Sequence, residues 1–140
     1  MNVLFVCSQN WLRSPTAAFL YSFTPGISTQ SAGADSDLSD SHLNWADQIF
    51  VMEDHHRRTI RRKRPDIYEK KKITCLYLED RFDYCDDALI STLADKLTRL
   101  IGPPTFPSGW DTLLKEKRAE REAFKKANDI DQPYPLDLYE

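Results

Sequence analysis

The chain has 140 residues, of which 41% are hydrophobic and 29% are charged. This length suits one domain, and the hydrophobic fraction is sufficient for a packed core, which excludes a wholly disordered chain. The longest apolar run, residues 3–7, is far shorter than the roughly 18 residues that span a bilayer. It has no basic segment before it and no cleavage motif after it. We therefore expect a cytoplasmic protein without a signal peptide and without a membrane partner.

The formal net charge of −3 conceals two blocks of opposite sign. Residues 55–72 contain nine Lys or Arg and two Asp or Glu, whereas residues 79–95 contain six acids and one Arg. The three cysteines, Cys7, Cys75 and Cys85, are too few and too scattered for a disulfide scaffold. In a reducing compartment they are expected to be free thiols, of which at least one is a candidate for reactivity.

The first half of the chain predicts strands and helices in alternation. Residues 2–6 are apolar and rich in β-branched and aromatic side chains, which predicts a strand buried on both faces. Ser14 and Pro15 form a helix-start signal, with Ser14 as the N-cap. The remaining elements predicted here are a helix to residue 23, a strand at 27–32, a helix at 36–45 and a strand at 48–52.

The second half continues this alternation. Asp54 begins a basic helix that Pro65 ends, and a fourth strand is predicted at residues 73–78. An acidic, aromatic loop at 79–84 leads into a helix that ends near Gly102. Beyond it, a helix with a weak apolar stripe is predicted at 111–127, followed by an extended tail that contains Pro133 and Pro135.

This order predicts a three-layer α/β/α fold with a four-stranded parallel sheet of flavodoxin-like winding. We expect residues 1–101 to form this α/β domain and residues 102–140 to form a C-terminal helical extension and tail. In such a sheet, ligands bind beyond the carboxyl ends of the strands, where the winding direction reverses. The loop after the first strand is therefore the candidate binding site.

This loop has the spacing Cys-x5-Arg-Ser between a buried strand and a helix start. A loop of this length can turn several backbone N–H groups towards an anion, and the helix adds its positive dipole end. Such surroundings lower the pKa of a thiol, which makes Cys7 the candidate nucleophile. Arg13 would hold two phosphate oxygens, and Ser14 would donate a hydrogen bond to the sulfur. The candidate phosphate-binding residues are Ser8, Gln9, Asn10, Trp11, Leu12, Arg13 and Ser14.

Residues 6–17, Val-Cys-Ser-Gln-Asn-Trp-Leu-Arg-Ser-Pro-Thr-Ala, resemble the active-site loop of the low-molecular-weight protein tyrosine phosphatases. The likeness is to a short bacterial branch of predicted tyrosine phosphatases, and it extends through residues 31–33 and 46–52 to cover about residues 1–101. Asn10 matches the loop asparagine that braces the loop from within. Gln9 stands where the family usually has Gly, which questions the loop dihedrals. Leu12 stands where it usually has a second Cys, which excludes a disulfide between neighbouring active-site cysteines.

The resemblance implies a phosphatase that works through a cysteinyl-phosphate on Cys7, without a metal or another cofactor. The leaving oxygen needs a proton, and the resemblance places the acid on the loop after the fourth strand. Asp80, followed two residues later by Phe82, is the best match to an Asp-Pro-Tyr-like motif. Asp83 and Glu79 are the alternatives. The carboxylate formed in the first step would then activate the water that releases phosphate.

Three aromatic residues, Trp11, Phe82 and Tyr84, are candidates for the wall of a slot that accepts a phosphotyrosine ring. For Phe82 and Tyr84 the alternative is that they only pack the acidic loop onto the sheet. The substrate class is a phosphorylated protein or a small phosphomonoester, and the sequence does not choose between them.

Basic and histidine residues lie outside the loop. His42, His55 and His56 have no convincing partners as metal ligands, and the pair His55-His56 is typical of a solvated helix start. The basic residues 57–64 predict a solvated helix face or a contact for an acidic partner, and nucleic acid is the least favoured of the three uses.

Two other functions remain open at this point. An arsenate reductase of related fold also begins with Cys-x5-Arg and needs further cysteines, for which Cys75 and Cys85 are candidates. A non-catalytic phosphate-binding or nucleic-acid-binding module would result if Gln9 has altered the loop.

Overall fold

Strands and helices alternate along the chain, as the sequence predicts. The structure, a computed structural model, describes residues 1–128. The strands are β1 (Asn2–Cys7), β2 (Ser28–Gly33), β3 (Gln48–Val51) and β4 (Lys72–Cys75). The helices are α1 (Arg13–Tyr21), α2 (Asp40–Trp45), α3 (Asp54–Lys63), α4 (Pro65–Lys70), α5 (Asp87–Ile101) and α6 (Trp110–Ala127). The tail with Pro133 and Pro135 lies outside the described residues.

The four strands form one parallel sheet in the order β2-β1-β3-β4. The chain winds outward from β1 to β2 and then in the opposite direction from β3 to β4, so the winding reverses between β1 and β3. In register, Cys7 lies beside Gly33 and Val51 lies beside both Val6 and Cys75. The loops after β1, β3 and β4 therefore meet at one edge of the sheet, which is the edge where ligands bind in such folds.

The side chains of β1 alternate between two hydrophobic cores. Val3 and Phe5 face the core that is covered by α1 and α5. Leu4 and Val6 face the other core, to which α2, α3 and α4 contribute. Helices thus cover both faces of the sheet, and the predicted three-layer α/β/α architecture is confirmed.

Several predicted boundaries move in the structure. Ser14 is not the N-cap of α1, because the helix begins at Arg13 and Leu12 occupies the capping position. The second helix begins only at Asp40, where the Ser39 side chain caps it. Pro65 ends α3 as predicted, but it also begins α4, since proline is favoured in a first helical turn. β4 ends at Cys75 rather than at residue 78.

The helix α6 packs across the α/β layers at two points. Near its start, the Trp110 ring stacks on Phe19 of α1, with ring centroids 5.2 Å apart. Near its end, Phe124 contacts Trp11, with centroids 5.4 Å apart. Among residues 1–128, no helix is both long and apolar enough to cross a membrane.

Candidate active site

The loop that follows β1 passes directly against the end of β2. A Cβ atom added to Gly33 would lie 2.7 Å from the carbonyl carbon of Gln9 and 2.8 Å from the backbone nitrogen of Asn10. Real side chains essentially never approach backbone so closely, so only glycine permits this contact. Gly33 at the end of β2 therefore allows the loop backbone to pack directly against this strand.

The Cys7 sulfur lies at the base of the loop and is buried. It is 2.9 Å from the Ser14 hydroxyl oxygen, which is the contact that the spacing Cys-x5-Arg-Ser predicts. The same hydroxyl is 3.2 Å from Asn10 Oδ1 and 3.4 Å from the Ala32 carbonyl oxygen. Since a hydroxyl has one hydrogen, a thiolate at Cys7 would draw it away from these neutral acceptors.

Asn10 gives the loop its sharpest turn. Its φ of 55° lies in the left-handed region, which Asn tolerates better than most residues. Its amide nitrogen donates to Ser31 O at 3.3 Å and to Asp37 Oδ2 at 3.1 Å, and Asp37 also accepts from the Gly33 N–H at 2.7 Å. Gln9 is not among the described non-glycine residues with positive φ, so its backbone does not require glycine. The presence of Gln9 in place of the usual Gly therefore gives no conflict with the backbone dihedrals at this position.

Several backbone N–H groups of the loop after β1 are not used in backbone hydrogen bonds. Within the described part of the chain, the N–H groups of Ser8, Asn10, Trp11 and Leu12 make no backbone–backbone hydrogen bond. Helix α1 begins directly after them, and the first N–H groups of a helix lack acceptors within the helix. Donors of this kind, in a loop that leads into a helix, form a site for an anion.

Arg13 is buried, and its Nη1 atom is held by two acceptors from different elements. It donates to Glu53 Oε2 at 2.9 Å and to the Leu78 carbonyl oxygen at 2.9 Å. Glu53 follows β3 and Leu78 follows β4, so loops from two further strands fix the plane of the guanidinium. Glu53 is not among the candidate residues predicted from the sequence, although its position after a predicted strand could have indicated it.

His56 is a second site residue that the sequence does not predict. It was expected at a solvated helix start, but it is fully buried. Its Nε2 atom is 2.8 Å from the Ser8 hydroxyl oxygen, and its Nδ1 atom accepts from the Glu53 N–H at 3.0 Å. The expectation of solvation is wrong for this residue because α3 begins at the site edge of the sheet and turns its first-turn side chain inward.

The three candidate acids occupy different surroundings. Asp80 Oδ1 is 3.9 Å from Arg13 Nε, and its side chain is only 11% exposed. Glu79 is 78% exposed and pairs with Arg81 at 3.3 Å. Asp83 accepts the N–H of Tyr84 at 2.7 Å, which is a local turn contact. Of the three, Asp80 is the carboxyl group that these contacts bring to Arg13, at the end of the loop after β1.

The three aromatic candidates for the substrate wall also lie in different environments. Phe82 is 4% exposed and belongs to the core beside α1 and α5, as the packing alternative describes. Trp11 and Tyr84 lie on opposite sides of Arg121 from α6, whose guanidinium carbon is 4.0 Å from the Trp11 ring centroid and 3.8 Å from that of Tyr84. Arg121 Nη1 also donates to the Trp11 carbonyl oxygen. The space between the two rings is thus filled by an arginine.

Comparison with solved structures finds this arrangement of strands and helices in known phosphatases. The tyrosine phosphatase Wzb from Escherichia coli K30, in complex with phosphate, is 19% identical over 70% of this chain and 94% of its own, with a TM-score of 0.58. A low-molecular-weight protein tyrosine phosphatase from T. tengcongensis is 23% identical over 71% of this chain and 98% of its own, with a TM-score of 0.55. SP-PTP, a low molecular weight protein tyrosine phosphatase from Streptococcus pyogenes, is 17% identical over 71% of this chain and 93% of its own, with a TM-score of 0.57.

The chain has the fold of the low-molecular-weight protein tyrosine phosphatases. The resemblance drawn from residues 6–17 is therefore confirmed at the level of the fold. No protein-family model matches the chain, and a search of curated proteins finds no match.

The other two cysteines lie in surroundings that disfavour a thiolate. Burial raises the pKa of Cys85, which also approaches Thr16 Oγ1 at 4.0 Å. Burial likewise raises the pKa of Cys75 at the end of β4. A thiol of raised pKa is a slow nucleophile in disulfide exchange, which weighs against the thiol relay that an arsenate reductase would need on this phosphatase fold.

One group of side chains near the loop has the composition of a metal site. Glu53, His55 and His56 place one potential ligand atom each within 4.8 Å of one another. However, Glu53 already binds Arg13, and both ring nitrogens of His56 have hydrogen-bond partners. A metal would have to displace these contacts, so the group fits a hydrogen-bond network better than a metal.

The basic residues 57–64 are partly neutralised on the surface. Arg57 and Arg58 both bind Asp54, and Arg64 binds Asp66 at 2.8 Å and Asp40 at 3.1 Å. Arg61, Arg62 and Lys63 are exposed at the end of α3, and this exposed group is the part of the segment that a partner could reach.

Proposed function

We propose that this protein is a cysteine-dependent phosphatase that hydrolyses phosphotyrosine or another phosphomonoester. Cys7 is the nucleophile, Arg13 and the loop of residues 8–14 hold the phosphate, and Asp80 is the general acid. The observation that carries the proposal is the Cys7 sulfur, 2.9 Å from the Ser14 hydroxyl, at the base of a loop in which four N–H groups, those of Ser8, Asn10, Trp11 and Leu12, make no backbone–backbone hydrogen bond among residues 1–128. The fold shared with tyrosine phosphatases supports the same conclusion.

The reaction proceeds in two displacements at phosphorus. In the first, the Cys7 thiolate forms an S–P bond while the bond to the leaving oxygen breaks, and Asp80 gives that oxygen its proton. In the second, the Asp80 carboxylate takes a proton from water, whose oxygen attacks phosphorus and breaks the S–P bond. Phosphate leaves, Cys7 returns to the thiolate, and Asp80 is again protonated. The loop N–H groups and Arg13 stabilise the charge on the phosphoryl oxygens in both steps.

The proposed substrate wall consists of Trp11 and Tyr84, with Phe82 supporting it from the core. Arg121 lies between the two rings, and its burial lowers the pKa of the guanidinium below its usual range. An aryl ring can enter between Trp11 and Tyr84 only when Arg121 leaves. Helix α6, which belongs to the proposed extension of residues 102–140, would in this way limit access to the proposed catalytic domain of residues 1–101.

Replacing Arg121 by Ala should therefore raise kcat/KM for phenyl phosphate about threefold or more relative to ethyl phosphate, because displacement of a stacked guanidinium is no longer needed. The ratio of the two kcat/KM values is the measurement. Arg118→Ala is the matched control, since Arg118 holds α6 to the Cys85 carbonyl at 2.7 Å without entering the space between the rings. A ratio that falls in Arg121→Ala, or rises equally in both variants, would contradict this account.

The exposed basic group Arg61, Arg62 and Lys63 is the proposed contact for an acidic segment of a phosphorylated partner. Three cations on one helix end attract an acidic chain at long range, and salt screens that attraction. Nucleic acid is a poorer candidate because the flanking Arg58 and Arg64 are already paired with carboxylates.

The experiment that tests the proposed function is capture of the intermediate. Wild-type protein mixed with p-nitrophenyl phosphate and quenched in acid should yield a Cys7 peptide heavier by one phosphoryl group, seen by mass spectrometry. Arsenate turnover that instead joins Cys75 to Cys85 would favour the arsenate reductase. Phosphate binding without hydrolysis would favour the non-catalytic binding module.

A further inference from the structure

The start of α3 contains a buried imidazole whose hydrogen-bond pattern fixes its tautomer. His56 Nδ1 accepts the backbone N–H of Glu53 at 3.0 Å, so this nitrogen carries no hydrogen. A neutral ring then carries its hydrogen on Nε2, which is 2.8 Å from the Ser8 hydroxyl oxygen. His56 therefore donates to Ser8, and the Ser8 hydroxyl keeps its own hydrogen for a further acceptor. Both side chains are fully buried, so water does not compete for this bond.

The same helix start holds the other end of the loop. Glu53 precedes α3 at its N-cap, and its carboxylate binds Arg13 at 2.9 Å. His56 therefore fixes Ser8, the residue after the nucleophile, while Glu53 fixes Arg13, the arginine that closes the loop. Both contacts come from the N-cap and first turn of α3, so this helix start connects the two ends of the loop.

We propose that His56 is a positioning residue for oxyanion binding, which acts through its hydrogen bond to the Ser8 hydroxyl. The inference rests on the proposed function, because the ligand is the phosphoryl group of that same site. His56 does not touch the reacting atoms. Its bond holds the first residue of the loop in the orientation in which the loop donors converge on the anion, so that less ordering is needed when phosphate binds.

The variant His56→Gln separates this role from helix capping. Glutamine is a common residue at the third position of a capping box, where it reaches back to the N-cap N–H. It can therefore keep the bond to the Glu53 N–H, while a rotatable amide nitrogen replaces the fixed ring donor that faces Ser8. Ser8→Ala removes the other partner and leaves the helix start intact. His42→Gln is the matched control, because His42 caps α2 in the same way, with Ser39 N donating to its Nδ1 at 3.1 Å, and the hydrogen bonds of its side chain go to Ser39 and not to the loop.

The measurement is the dissociation constant of inorganic phosphate by calorimetry on the full chain, with kcat and KM for p-nitrophenyl phosphate beside it. Each of His56→Gln and Ser8→Ala should weaken phosphate binding about three- to tenfold, which is the effect of one hydrogen bond. The double variant should bind phosphate no more weakly than the single variant with the lower phosphate affinity. KM should rise by the same factor with kcat little changed, as expected when ground-state and transition-state binding fall together. His42→Gln should leave the phosphate affinity unchanged.

Three results would overturn the inference. They are unchanged phosphate binding in Ser8→Ala, multiplying losses in the double variant, and an equal loss in His42→Gln. If His56→Gln does not fold, Ser8→Ala decides alone. Phosphate binding needs no turnover, so coupled losses in a protein that hydrolyses nothing would support the inference while the proposed function fails. Hydrolysis that depends on Cys7, together with unchanged phosphate binding in Ser8→Ala, would support the proposed function while the inference on His56 fails.

Discussion

Cys7→Ser should lower the rate of aryl phosphate hydrolysis by about 10⁴-fold or more, which is the scale of losing an enzyme nucleophile. Serine has nearly the same size and can keep the contact to Ser14, which is 2.9 Å away in the wild type. A hydroxyl in this position stays protonated at neutral pH, whereas the loop and the α1 N-terminus favour a thiolate. The measurement is kcat/KM for p-nitrophenyl phosphate in the two proteins.

The control for Cys7→Ser is Cys75→Ser, which removes a thiol of raised pKa at the end of a neighbouring strand. It should change the rate less than twofold, because Cys75 is half-buried and lies outside the loop of residues 7–14. Phosphate binding by Cys7→Ser, seen by calorimetry, would show that the loop is still formed. Activity that survives in Cys7→Ser would remove the cysteinyl-phosphate mechanism.

The fold could be predicted because its signals are local. The alternation of apolar strands with helices, and breaks at residues such as Pro65 and Gly102, are visible along the chain, and alternating order restricts the sheet to parallel winding. The loop could be predicted from the sequence for the same reason, since Cys7, Arg13 and Ser14 lie within eight consecutive positions. The residues between them are proposed to act through backbone N–H groups, which every residue type except proline supplies, so the spacing carries more information than the intervening side chains.

The rest of the site depends on contacts between distant segments. His56 sits in a polar, basic run, and no local pattern distinguishes it from the half-buried His55. Arg121 lies 110 positions from Trp11, whose carbonyl it contacts, on a helix with only a weak apolar stripe. Glu53 is easier to predict than His56 or Arg121, because its position directly after β3 follows from the order of the strands. Side chains that act through tertiary contacts are therefore found only when the segments are brought together.

Asp80→Asn should lower kcat by about 10²- to 10³-fold for phenyl phosphate, the range expected for loss of a general acid. Asparagine keeps the shape of the side chain beside Arg13 but has no proton to give to the leaving oxygen. The loss should be much smaller for p-nitrophenyl phosphate, because its phenolate departs without protonation. The measurement is the dependence of kcat on the pKa of the leaving phenol, which should become steeper in the variant.

Asp83→Asn and Glu79→Gln are the matched controls for this steeper dependence. The asparagine oxygen at position 83 can still accept the Tyr84 N–H, and Glu79 is an exposed partner of Arg81, so neither change should alter the slope. A steeper slope in Asp83→Asn, with Asp80→Asn unchanged, would assign the acid to Asp83. The distinction is sharp because Asp80 lies 3.9 Å from the guanidinium that would hold the phosphate, whereas Asp83 is engaged in its own turn. Proximity to Arg13 is therefore the observation that favours Asp80 over Asp83 as the proposed general acid.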